Sequence, residues 1–139
     1  MEVIGIRARS REDGEFVLEA LKTAVARERV ALDDLALVTR DEQGNVEIHH
    51  KQSRWAKVRH EGIDHDLMQK VGAKISDGES VVFAQGADAS IEAVAARVRE
   101  VSGGDMETFV FGLDDEVFLR EAGDKIDLPP GMAVKAPLS

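Results

Sequence analysis

At 139 residues, with 43% hydrophobic and 32% charged side chains, the chain suits one globular domain that buries roughly two-thirds of its unfolded surface. Its net charge of −9 disfavours general nucleic-acid binding, because phosphate contacts must come from Lys and Arg. With no cysteine it has no disulfides, thiolate metal sites or cysteine nucleophiles, and it fits a reducing cytoplasm.

Met1-Glu2-Val3-Ile4-Gly5-Ile6 has no basic start and meets charge within a few residues, so no signal peptide is expected. No run approaches the roughly 18 apolar residues of a membrane helix. Val3 to Ile6 begins a first strand, and Ser10 with Asp13 gives a capping signal for the helix that follows. Up to Arg29, Val17, Ala20, Leu21, Ala24 and Val25 share one helical face, flanked by Phe16 and Leu18. Asp33-Asp34 read as a loop before a second strand, Leu35 to Thr39. Asp41 to Asn45 has hairpin-loop chemistry, and Val46 to His49 alternates as a half-exposed strand does.

A change of composition follows. Lys51, Arg54, Lys57 and Arg59 surround the lone Trp55 with no acid among them, as a linker or short helix leading onward. The organising stretch comes next, from Gly62 to Gly86. Asp64 caps a helix, Ile63 and Met68 have staple spacing, and Leu67, Val71 and Ile75 form one stripe. Ser76-Asp77-Gly78 breaks the period, and Ser80 to Ala84 is apolar on both faces, as an inner strand is. Asp88 or Ser90 is expected to cap a third helix with the stripe Ile91, Val94, Ala95, Val98 and Val101, ended by Gly103-Gly104. Glu107 to Phe111 is a strand, Asp114 caps a short helix through Ala122, and residues 124–139 are an extended or disordered tail.

The expected order is β-α-β-β-α-β-α-β-α in one α+β domain, residues 1–123, with helices on a mainly antiparallel sheet. Its first six elements have the order of a ferredoxin-like split β-α-β core, to which an α-β-α is added.

Three phrases together resemble a bacterial family known only as a domain of unknown function and usually described as membrane proteins. They are the strand and hairpin Leu35 to Val46, Gly62-Ile63-Asp64 opening an amphipathic helix, and the Asp77-Gly78 turn before Ser80 to Phe83. Relatives place a Gly-rich apolar hairpin where this chain has Lys51 to Glu61, which cannot span a bilayer. The resemblance implies a soluble variant of the α+β fold and no catalytic residues.

All four histidines fall in one region, His49, His50, His60 and His65, with Asp64 and Asp66 beside them. Imidazole and carboxylate suit a divalent transition metal, with His49, His60, His65 and Asp66 as candidate ligands. Against this, His49 and His50 point to opposite faces of a strand and Asp64 serves as a cap, so solvated polar residues and no metal are the favoured reading. Lys51, Arg54, Trp55, Lys57 and Arg59 form a candidate interaction segment, either packing on a domain or subunit or meeting a membrane surface. Single-stranded nucleic acid is disfavoured, since one aromatic is a poor stacking platform. Asp33-Asp34 and Asp114-Asp115 read as caps and turns, and neither a phosphate loop nor a nucleophile elbow is present.

The leading expectation is a cytoplasmic, non-enzymatic interaction module that self-associates as a homo-oligomer and needs no cofactor. The first alternative is a peripheral membrane or envelope-stress protein acting through the Trp55 segment. The second is a metal- or small-ligand-binding protein using the histidines.

Overall fold

The computed structural model describes residues 2–50, 62–103 and 105–112. In chain order these form β1 (Glu2–Ala8), α1 (Arg11–Ala26), β2 (Asp34–Arg40), β3 (Val46–His50), α2 (His65–Lys74), β4 (Ser80–Gly86), α3 (Asp88–Ser102) and β5 (Glu107–Gly112). The last expected helix, Asp114 to Ala122, and the tail 124–139 lie outside the described residues. The five strands make one antiparallel sheet in the order β3-β2-β4-β1-β5.

That order corrects the expected use of the first six elements. A split β-α-β unit built on the β2–β3 hairpin needs β3 between β1 and β2. Here β4 takes that place, with Phe83 opposite both Gly5 of β1 and Ala36 of β2, and β3 lies at the sheet edge. Hydrophobicity decides the exchange. Every residue of β4 is buried, whereas β3 alternates between half-buried and exposed and can tolerate an edge.

The two faces of β4 are covered by different helices, so the domain has three layers. Val81 and Phe83 face α2, where Ile63, Leu67, Met68, Val71 and Ile75 pack with Val38 in one cluster. Val82 and Ala84 face the other side, where Val17 and Leu21 of α1 and Ile91, Val94 and Val98 of α3 pack with Ile4, Ile6 and Leu37. Burying each of these larger aliphatic side chains stabilises the fold by about 1.5–3 kcal/mol before chain entropy is counted.

Helix ends follow their caps, with one exception. The Ser10 hydroxyl accepts from the Asp13 amide at 3.1 Å, and the Asp64 carboxylate accepts from the Asp66 amide at 2.7 Å. At the far end of α2 the Arg40 guanidinium donates to the Ala73 and Ile75 carbonyls at 2.8 and 2.9 Å and pairs with Asp77. Neither Asp88 nor Ser90 caps α3. Its N-cap is Ala87, which offers no side-chain acceptor, and Asp88 sits in the first turn, where a carboxylate favours the helix dipole. Gly103 closes α3 in the left-handed region at φ 66°. α1 stops at Ala26 rather than running to Arg29, because Glu28 turns to φ 56°.

In the β2–β3 loop the Asp41 carboxylate accepts from the Gln43 and Asn45 amides, both at 2.9 Å. These bonds, that of Asn45 first, hold its pKa below the ordinary carboxylate value. A depressed folded pKa gives stability that is present above the unfolded pKa and lost as pH falls through the folded one. Hydrogen exchange should therefore show the Gln43 and Asn45 amides losing protection as pH drops below about 4. Asp41→Ala should abolish that acid-limb dependence while leaving protection in β4 unchanged.

Candidate functional site

β2 opens with Asp34, whose side chain is only 1% exposed. Antiparallel pairing sets Asp34 opposite Gln85 and Ala36 opposite His50, which brings His50 and Asp34 to the same face of the sheet as α2. Asp34 Oδ2 lies 2.6 Å from His50 Nε2 and accepts from the Ile63 amide at 2.8 Å, while Oδ1 accepts from the Leu35 amide at 3.0 Å. His50 and Ile63 flank residues 51–61, so one enclosed carboxylate fixes the chain on both sides of that segment. Reading Asp33-Asp34 as a loop missed this. Only Asp33 precedes the strand, donating its amide to the Gln85 carbonyl.

Beside this pair is an open cleft of about 510 Å³, lined on one side by Leu18, Lys22 and Val25 of α1 and on the other by Leu35, His49 and His50. An imidazole held by a buried carboxylate is the orienting half of a general base. Among the described residues no hydroxyl is hydrogen-bonded to His50, and the pair holds β2, β3 and the entry to α2 together.

The larger concavity is a groove of about 890 Å³ between α1 and α3. The expected stripes of both helices differ from those observed at this groove. Val17 and Leu21 are buried and Ala20 is exposed, and of the α3 stripe Val101 has turned outward. Phe16 is 66% and Val101 61% exposed, the two large apolar side chains left to solvent among the described residues, and both line the groove. Arg9, Arg27, Arg29 and Arg97 stand along it with Asp13 and Asp105. Arg9, Arg27 and Arg29 form no ion pair among the described residues, and Arg97 reaches Glu100 at 3.4 Å. Amphipathic periodicity could have revealed this face, because placing Phe16 inside requires rotating Leu21 outward.

Three of the four histidines lie among the described residues. His49 is on the exposed side of β3, 3.3 Å from Glu47, and His50 is tied to Asp34. His65 opens α2, and the amide of Asp66 is taken by the Asp64 cap. His60 lies outside the described residues, as do Lys51, Arg54, Trp55, Lys57 and Arg59 and the Asp114-Asp115 pair. Among the described residues no group of three or more His, Asp or Glu side chains is close enough to hold a metal ion, and no helix is long and apolar enough to cross a membrane. Compared with known proteins, the chain matches no family model, no curated protein and no solved structure.

Proposed function

We propose that the protein is a non-enzymatic interaction module that self-associates. One observation carries the reading: Phe16 and Val101 lie exposed on the same groove between α1 and α3. An apolar patch lined by polar side chains is the signature of a protein-contact surface, and aromatic and Arg side chains are enriched in such contacts. The His50–Asp34 pair, by contrast, has a structural use that leaves it no free carboxylate oxygen. Light scattering and sedimentation over a wide concentration range test the reading. A concentration-dependent dimer is the expected result, and a monomer from micromolar to near-millimolar concentration overturns it.

We also read the ferredoxin-like core through a different set of six elements, β1-α1-β2-β4-α3-β5. α1 links β1 and β2 around β4, and α3 links β4 and β5 around β1, which is a pair of interlocked split units. On this reading β3 and α2 are an insertion between the second and third strands of the core. The resemblance to the bacterial membrane-protein family fits such an insertion, since residues 51–61 fall inside it.

A further inference from the structure

We infer that a second copy of this chain docks with its α1 antiparallel to the first, about a two-fold axis at Ala20. The inference rests on self-association and adds its geometry. Charge on α1 is divided by position. Arg11, Glu12, Asp13, Glu15 and Glu19 at its N-terminal side carry a net charge of −3, while Lys22 and the residues just beyond the helix, Arg27, Glu28 and Arg29, carry a net charge of +2. A helix polarised in this way repels a parallel copy and attracts an antiparallel one, which supplies both specificity and register.

The groove-facing residues of α1 are symmetric about its middle. Asp13, Phe16, Ala20, Ala24 and Arg27 all line the groove. In an antiparallel pair crossing at Ala20, Asp13 meets Arg27 of the second copy and Phe16 meets Ala24 there, and the two-fold repeats both contacts. Such an isologous contact closes on itself, so assembly stops at a dimer. The small side chains at Ala20 and Ala24 let the helix axes approach and leave room for the Phe16 ring.

Size agrees with a modest interface. α1 has 16 residues and α3 has 15, so each is about 22–24 Å long. Set side by side roughly 10 Å apart, they present roughly 500 Å² per copy, or about 1,000 Å² in all. That is the lower end of specific interfaces, and the dimer should dissociate on dilution.

The test uses the full chain, which contains no cysteine of its own. Ala20→Cys places two thiols at the axis, within disulfide reach, so mild oxidation should give a covalent dimer, whereas Glu92→Cys on the exposed side of α3 should stay largely monomeric. Arg27→Asp should weaken the dimer about tenfold, and Asp13→Arg combined with Arg27→Asp should restore it, because the swap rebuilds the pair only between copies. A dimer that neither crosslinks through Ala20→Cys nor responds to charge reversal overturns the α1 contact and leaves self-association standing. A dimer lost on deleting residues 113–139 but indifferent to the α1 charges also overturns it. A wild-type monomer at every concentration removes both.

Discussion

Asp34→Ala should cost about 3–5 kcal/mol of unfolding free energy, as much as truncating a large core side chain. The carboxylate is enclosed, with its side chain 1% exposed, and accepts at both oxygens. Its removal leaves the Ile63 amide without its acceptor, and a buried unmet donor costs about 1–3 kcal/mol alone. It also leaves the half-buried His50 ring, whose side chain is 12% exposed, without its partner. Two strands and the entry to α2 lose their common tie together. His50→Ala should cost less, because Asp34 keeps the Ile63 and Leu35 amides. Since the two side chains share one bond, the double variant should fall short of the sum by more than about 0.5 kcal/mol. Urea unfolding of the four proteins gives the cycle, and hydrogen exchange at Ile63 reports the local opening. An Asp34→Ala loss below about 1 kcal/mol would show that the clamp contributes nothing of its own.

The elements with strong local signals were legible in the sequence, and those fixed by distant pairing were not. Asp64 as cap, the Ile63–Met68 staple and the Leu67-Val71-Ile75 stripe all reappear in α2, because each depends on residues within one or two turns. β4 was readable as an inner strand from its unbroken apolar run. Its neighbours were not, since strand order depends on which edge each strand can tolerate. The same limit hid the carboxylate site. Asp34 continues the alternation of Ala36 and Val38 one step outward, and His50 continues that of Val46 and Ile48. Both phases point inward, but only the register of β2 on β3 joins them. Of the groove, the sequence displayed the apolar residues and not their partition. Ala20 and Val101 were placed inside, whereas the sheet admits one narrow face of each helix.

Gly72→Ala should destabilise the domain by about 1–3 kcal/mol, although helix propensity alone favours alanine by up to about 1 kcal/mol. The sign is decided by how closely α2 lies on the sheet. A Cβ at Gly72 would stand 2.5 Å from Val46 Cγ1 and 3.0 Å from Val38 Cγ1, so a side chain or the helix itself must shift. Val38 is fully buried in the central part of the sheet and cannot retreat. Val46 begins the edge strand and is half-buried, so it is the side that yields. Val46→Ala should therefore rescue Gly72→Ala, with the pair more stable than the sum of the single changes by at least about 1 kcal/mol. Val38→Ala should rescue it less, because it opens a cavity in the sheet interior while leaving the closer contact in place. Denaturant midpoints across this set separate sterics from propensity. If Gly72→Ala proves stabilising, α2 rides higher on β2 and β3 than its contacts with Val38 and Val46 require, and the three-layer packing on that face is looser than described.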